Sequence, residues 1–262
     1  VRTSNGGERI GRSSYHTLIV KWDKRYSDGL TVLASYAGSK MFTNAERTTN
    51  LERVSLDHYN RGLEWYLSEN DQTHVVRSAF TYEFPIGRGR SLGGNVLTAV
   101  LGGWSLSGFL EYASGFPMGV SPGICPPIYP GQCGNRAFVD SYDNWRGSVS
   151  GDKFDPAKDR WFNPGAFQQR PQAVLETVLG NATPRNPKLR TPWNLNENFS
   201  LAKRVPLGSE RLAATLRFEA FNLFNRTVWG NPNTTVNAPN FGIVTSQRND
   251  PRRLQFGFKL DF

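Results

Sequence analysis

The chain is poor in the residues that build reactive centres. Its 262 residues include only two cysteines, three histidines and two methionines. Cys125 and Cys133 are separated by a short Pro- and Gly-rich segment with no histidine cluster nearby, so they do not make a tetrahedral zinc site. In an oxidising compartment they would close a small loop, and a disulfide between them is expected. His16, His58 and His74 lie far apart and form no i, i+4 pair. Asp152, Asp155 and Asp159 lack the glycine and the spacing of a calcium loop. No phosphate loop or dinucleotide fingerprint is present. Gly119-Val120-Ser121-Pro122-Gly123 matches a hydrolase nucleophile elbow literally. That elbow needs the N–H of the residue after the serine, and Pro122 has none. No catalytic residue, metal site or cofactor is therefore expected, and the chain does not read as an enzyme.

Long hydrophobic runs are missing too. No stretch approaches the ~18 apolar residues of a transmembrane helix. Val1 to Arg12 is polar and shows no signal peptide; if the protein is exported, its signal is expected upstream. Mean hydropathy is −0.50. That value excludes helical membrane proteins and leaves β-barrels open, because half of each barrel strand faces water and the loops are long. Net charge is +9, but Lys and Arg are scattered without a long cationic run. Nucleic acid is not expected as a partner.

What the chain has in quantity is aromatic residues and glycine: 17 Phe, 9 Tyr, 7 Trp and 26 Gly. That mixture suits many strands and turns better than helices. Alternation supplies the strands. The clearest is the last stretch, Arg252 to Phe262. Leu254, Phe256, Phe258, Leu260 and Phe262 share one face, and Arg253, Gln255, Gly257, Lys259 and Asp261 share the other. Its length is about the 9–11 residues that a bilayer-crossing strand needs.

The same period of two runs through Tyr15 to Asp23, Leu30 to Lys40, His74 to Phe84, Trp104 to Ala113 and Arg211 to Asn222. Asn194 to Lys203 is weaker, with Glu197 interrupting the apolar side. The first two strands are joined by Lys24 to Gly29, which carries the Asp-Gly signal of a hairpin. Between the others lie Met41 to Thr73, long and polar with a possible helical part near Leu51 to Tyr66, and Ile86 to Gly103. In the latter, Asn95 to Leu101 reads as a short helix or as an extension of the next strand. Ser114 to Pro192 is the longest irregular region, and Leu223 to Asp250 is studded with Asn. A structureless loop as long as the third is unusual in a compact soluble domain. Connections that alternate between short and long match the periplasmic turns and external loops of an outer-membrane barrel.

Several segments resemble one family in collinear order from about Ser14 to Phe262. They are Ser14-Tyr15-His16, Lys24 to Gly29, Tyr82-Glu83-Phe84-Pro85-Ile86-Gly87-Arg88-Gly89-Arg90, Gly102-Gly103-Trp104-Ser105-Leu106-Ser107-Gly108 and Trp161-Phe162-Asn163-Pro164. To these are added Phe218 to Asn225, Trp229 to Asn233, Asn240-Phe241-Gly242 and the terminal Gln255 to Phe262. Together they are similar to the carboxy-terminal end of TonB-dependent outer-membrane receptors, most of all the Oar-like subgroup. The resemblance implies an all-β fold, an antiparallel transmembrane β-barrel segment of about seven strands with long external loops. Residues 1–262 would be the carboxy-terminal part of the barrel, with the plug and amino-terminal domains absent from the chain.

The resemblance further implies the bacterial outer membrane and transport of a solute, peptide or protein. It implies as partners outer-membrane lipid, the rest of the barrel and its plug, the TonB energy-coupling complex and the barrel-assembly machinery, which would read the strand ending at Phe262. In a barrel, Arg77, Glu83, Glu111, Arg217, Glu219 and Lys259 face the lumen, while in a small soluble core they would be costly unless paired. Trp22, Trp104 and Phe262 fall near strand ends, where aromatic girdles sit. The alternative is a secreted soluble β-protein that binds glycan or protein through aromatic loops. In that case a second sheet would cover the apolar rows.

Overall fold

A computed structural model describes residues 11–44, 60–86, 101–123, 136–141, 143–147, 153–207 and 212–262. Five strands come first: β1 (Ser13–Ser27), β2 (Leu30–Thr43), β3 (Tyr66–Leu67), β4 (His74–Glu83) and β5 (Trp104–Ala113). Short elements follow: β6 (Pro117–Met118), β7 (Phe138–Val139), β8 (Phe167–Gln168), the helix α1 (Gln172–Thr177) and β9 (Asn186–Arg190). The last long strands are β10 (Asn194–Pro206), β11 (Ala213–Phe221) and β12 (Arg253–Asp261). No described helix is long and apolar enough to cross a membrane.

Seven long strands form one antiparallel sheet in the order β1-β2-β4-β5-β10-β11-β12, with β3 added to β2. Each long strand pairs with the next one in the chain, so the sheet is an up-and-down meander. β1 and β12 are its two edges. The end of β1 and start of β2, joined by Asp28-Gly29, lie at one end of the ladders together with the facing ends of β4 and β5 and of β10 and β11. The facing ends of β2 and β4, of β5 and β10, and of β11 and β12 lie at the other. The alternation of short and long connections expected from the sequence is therefore present.

The β1–β2 hairpin shows why the local sequence gives this geometry. Asp28 and Gly29 have φ of 53° and 80°, the two positive values of a type I′ turn, whose twist matches that of the flanking strands. A Cβ on Gly29 would stand 2.4 Å from the Glu83 carbonyl oxygen. Because these two residues reverse the chain alone, Lys24 to Ser27 are not part of the turn, as the sequence suggested. They continue β1 through a bulge between Lys24 and Ser27, an extra residue accommodated by a local kink. Likewise β2 runs on to Thr43 and β10 to Pro206, past the Lys40 and Lys203 expected.

Register then sorts the side chains. Trp22 pairs with Ala34, Val32 with Phe80, Tyr82 with Leu106, Leu106 with Leu201, Leu201 with Phe218, and Phe218 with Phe256. Paired residues point to the same side, so one continuous apolar face runs across all seven strands. On the other side, Ser35 pairs with Arg77, Arg77 with Glu111, Glu111 with Asn196, and Ser200 with Glu219 and Ser107.

No second sheet covers the apolar face among the described residues. Phe256 is 80% exposed and Phe258 68% exposed. Aromatic rings on this face meet across strands and, for Tyr82 and Phe84 at 5.3 Å, along one. Phe218 lies 5.1 Å from Phe256, and the Phe80 ring packs over Gly108, where a Cβ would come within 2.4 Å of it. The soluble alternative, which needs these rows locked between two layers, does not describe this sheet.

Replacing Gly29 with Ala forces a side chain into the left-handed region, at about 1–2 kcal/mol, and drives its Cβ against Glu83. Gly29→Ala is expected to lower the denaturant midpoint of the folded protein. Gly62→Ala, whose Cβ would meet nothing closer than Asn60 at 3.5 Å, is expected to leave it within experimental error.

Candidate functional site

The six charges that the pattern places together do lie together. Arg77, Glu83, Glu111, Arg217, Glu219 and Lys259 all fall on the polar side of the sheet. Arg77 and Glu111, directly opposite each other, form an ion pair at 2.9 Å. Tyr26 Oη donates to a Glu83 carboxylate oxygen at 2.9 Å. Arg217 lies 3.6 Å from Glu219, and Lys259 lies 2.5 Å from Asp261. The Thr81 and Ser107 hydroxyls are 3.1 Å apart. These groups keep access to water, so each pair is worth about 1 kcal/mol or less. What matters is the distribution: the polar side is a hydrated surface of both signs.

Most of the buried hydrophobic residues lie outside the sheet. The main core cluster, which includes Trp145, Trp161, Phe162, Phe167, Leu189 and Phe241, comes from the 114–193 and 222–252 connections. Phe162 is fully buried and stacks on Phe241 at 5.0 Å, and Phe167 meets Phe241 edge-on at 5.1 Å. Two small ladders, β6 with β9 and β7 with β8, stiffen the first connection. Ser121 and Thr235 form a parallel bridge that joins the second connection to it. The described parts of the two connections therefore fold as one packed cap at the loop end of the sheet. The expectation of irregular structure across Ser114 to Pro192 is corrected in the described part, which holds β6 to β9 and α1. The visible signal was aromatic density without periodicity, at Trp145, Phe154, Trp161, Phe162 and Phe167.

Three arginines fasten the cap to the segment between β2 and β4. Arg136 pairs with Glu64 at 2.8 Å, Arg185 with Glu69 at 2.9 Å and Arg190 with Asp71 at 2.6 Å. The Asp71 carboxylate is wholly buried. It also accepts the Met41 N–H at 2.7 Å, while Arg190 donates to the Asp71 and Gly115 carbonyls at 3.0 and 2.9 Å. Trp161 Nε1 donates to the Arg190 carbonyl at 2.9 Å. One arginine, through its guanidinium and its carbonyl, thus ties β2, the top of β5, β9 and the cap core together.

A fourth arginine answers the break in the apolar face. Glu197 sits on that face and is completely buried, and Arg226 Nε donates to its Oε1 at 2.7 Å. Arg226 reaches it because Asn222, with φ of 50°, turns the chain just after β11. The Asn222 N–H donates to Asn198 Oδ1 at 2.9 Å. Its Nδ2 donates to the Arg226 and Asp250 carbonyls, and its Oδ1 accepts the Arg226 N–H.

A family model described as "Outer membrane beta barrel domain" matches residues 2–255. The chain belongs to that family. No curated protein and no solved structure matches the chain significantly. Family membership places the protein in the bacterial outer membrane, and the exposed apolar face then has its solvent in lipid.

As an outer-membrane barrel domain, the sheet shows aromatic belts at both ends of the apolar face. Trp104 and Phe262 lie at the turn end as expected, whereas Trp22, expected near a strand end, lies inside β1 and pairs with Ala34, because β1 runs on past Asp23 to Ser27. Lys203, on the apolar face near the same end, lays its ammonium over the Trp104 ring at 5.0 Å and donates to the Gly102 carbonyl at 3.2 Å. A long cation near a strand end reaches the interface in this way. At the loop end Tyr36, His74 and Trp193 stack in a row, with ring centroids 6.1 and 6.5 Å apart. The sequence reading missed this second belt, because Trp193 and His74 fall just at strand starts.

The remaining candidates hold structural places. Ser121, in the elbow-like segment, accepts the Val236 N–H through its carbonyl at 2.9 Å and donates its own N–H to Thr234 at 3.0 Å. His16 meets the Ser14 hydroxyl and His74 the Tyr36 hydroxyl. Asp155 and Asp159 belong to one local turn, in which the Asp155 N–H donates to Asp159. No cluster among the described residues offers a metal site. Cys125, Cys133, His58 and Asp152 lie outside the described residues, as do 51–59 and 95–100 of the two stretches expected as possible helix. The described end of the first, expected to reach Tyr66, is a short 3-10 turn at Arg61–Glu64 followed by β3. In the cap, a hydrogen bond from Lys188 holds Asp143 below the usual carboxylate range. The Ala157 N–H and Lys158 do the same for Asp155.

Two outcomes are expected. Leu201 and Ser200 are neighbours on β10 facing opposite solvents. Leu201→Arg puts a cation into lipid and should cost about 2–4 kcal/mol in urea unfolding from lipid vesicles, whereas Ser200→Arg should cost little. Arg190→Ala leaves the Asp71 carboxylate buried without its guanidinium partner, a loss of about 3–5 kcal/mol. Limited proteolysis should then cut the 153–193 segment while the long strands stay protected.

Proposed function

We propose that the protein forms the wall and external cap of a TonB-dependent transporter of the Oar-like type, which moves a solute, peptide or protein across the outer membrane. One observation carries this reading. Six charges spread over four strands share one face of a single-layered sheet whose other face is largely apolar and exposed, with Glu197 on that face neutralised by Arg226 and Lys203 drawn to the strand end. In a barrel, that polar face is the lumen, and Arg77, Glu83, Glu111, Arg217, Glu219 and Lys259 line it.

Three further observations support it. The collinear motifs resemble that family from Ser14 to Phe262. The sheet is open, with β1 and β12 as its edges, so further strands of a larger barrel would pair with them, as in large plugged barrels. The cap rests on the external end, where an arriving ligand would first meet the protein. In this reading the chain is the carboxy-terminal part of the barrel and carries no catalysis. Its partners are lipid, the rest of its barrel and plug, the energy-coupling complex and the assembly machinery that would engage Leu254 to Phe262.

In-cell cross-linking tests the assignment. An affinity-tagged copy of the protein as its cells make it should capture both the barrel-assembly machinery and the energy-coupling protein. Capture of the assembly machinery alone would identify a passive barrel and overturn the transporter reading.

A further inference from the structure

At the loop end of the polar face lies a pocket of about 230 Å³, lined in part by Asn194, Asn196, Asn198, Phe221, Asp250 and Arg253. Typical pockets for drug-sized ligands span about 300–1,000 Å³, so this one suits a single ring. The period of two on β10 brings Asn194, Asn196 and Asn198 into one row on the polar side. Phe221 and Arg253 stand opposite each other on β11 and β12 and complete the floor.

The amides of this pocket divide into two sets. Asn222 and Asn249 are committed to the frame. Asn249 Oδ1 accepts the Val228 N–H at 2.8 Å and its Nδ2 donates to the Arg226 carbonyl at 2.8 Å. Asn222 is held as described above, and behind it Arg226 is anchored on buried Glu197. By contrast, Asn194 and Asn196 are half-buried, and their side chains hydrogen-bond to no described residue. Asn198 uses only its Oδ1, toward Asn222. A rigid frame thus presents three side chains with unspent hydrogen-bonding capacity.

Each free amide offers donors and an acceptor in one plane, the complement of neighbouring hydroxyls, which both donate and accept. The two charges present, Asp250 and Arg253, lie 3.1 Å apart and pair with each other, so the pocket carries no net charge to select an ionic ligand. Phe221 supplies a partly exposed aromatic surface for C–H groups. An extended peptide would need a free strand edge. Along Asn194 to Asn198 one edge of β10 is paired with β5, and on the other the Glu197 carbonyl already accepts the Leu223 N–H at 2.9 Å and Asn198 Oδ1 the Asn222 N–H.

We infer that this pocket binds a neutral saccharide ring, one pyranose unit of a glycan. Asn196 is its central hydrogen-bonding contact, Asn194 and Asn198 flank it, and Phe221 is the stacking surface. The inference rests on the receptor reading, in which this end of the polar face is the outer mouth of the barrel, and names the class of ligand met there.

Saturation-transfer NMR on outer-membrane fractions of cells producing the protein provides the test. The probes are methyl glucoside, methyl galactoside and methyl N-acetylglucosaminide, with an acetylated, amidated Gly-Ser-Gly peptide as the competing class. At least one glycoside should bind in fractions that contain the protein and not in those that lack it. Asn196→Ala and Phe221→Leu should each weaken that binding about tenfold, as loss of a specific hydrogen bond or of a stacking surface would. Both variants should remain in the membrane fraction as folded bands that shift on heating. Folded, membrane-resident protein that binds no glycoside, binds the peptide more tightly, or binds glycoside unchanged in Asn196→Ala overturns the pocket assignment alone. Protein absent from the outer membrane overturns the receptor reading beneath it.

Discussion

Hydrocarbon contains no water to satisfy a peptide group, so every backbone N–H and C=O of a membrane-crossing strand must find a neighbouring strand. The rest of this structure follows from that requirement. It accounts for the ladders that run from β1 to β12, each long strand pairing with the next long one, and for the tight Asp28-Gly29 reversal at the turn end. Once the ladders are formed, the pleat leaves no freedom in the side chains. A slip of one residue would turn Phe218 and Phe256 into the polar face and Arg217 and Gln255 into the apolar one. Sheet pairing and the partition of solvents are therefore the same constraint seen twice.

The cap answers a different solvent. Beyond the strands the chain is in water, where apolar side chains gain by packing on one another. That is where Trp145, Phe162, Phe167 and Phe241 are buried. A barrel domain of this kind keeps its hydrophobic core in its loops and its exposed hydrophobics in its strands, the reverse of a soluble sandwich. The junction between the two regions is polar and charged. Arg136, Arg185 and Arg190 meet Glu64, Glu69 and Asp71 where the strands emerge, and the low exposure of the first and last pairs makes them specific fastenings, while Glu69 keeps access to water.

The long strands were legible because alternation is a local property. The faces of β4, β5, β11 and β12 could be written down from residues two apart, and with them the common side of Arg77, Glu111, Arg217 and Lys259. The Asp-Gly turn was legible for the same reason, although its bulge was not, since nothing near Tyr26 announces the hydrogen bond to Glu83 that holds it. The cap was illegible because its order is tertiary. Phe162 and Phe241 are far apart in the chain, and neither sits in a periodic pattern. The arginine–carboxylate fastenings share this property, as Arg190 and Asp71 lie 119 positions apart.

Glu197 shows how the two levels meet. Read alone, it weakens β10, an acid in an apolar row. A lone buried carboxylate would be strongly disfavoured, so the position requires a cation from elsewhere, and Arg226 is delivered by the turn at Asn222. The same turn donates to Asn198 on the opposite face of β10 and holds the Asp250 carbonyl. The interruption on the lipid side thus anchors the loop that frames the amide pocket on the lumen side. An apolar residue at position 197 would improve the alternation and leave the Arg226 guanidinium without its carboxylate. The acid is best understood as the link that carries the rigidity of the strand into the loop above it.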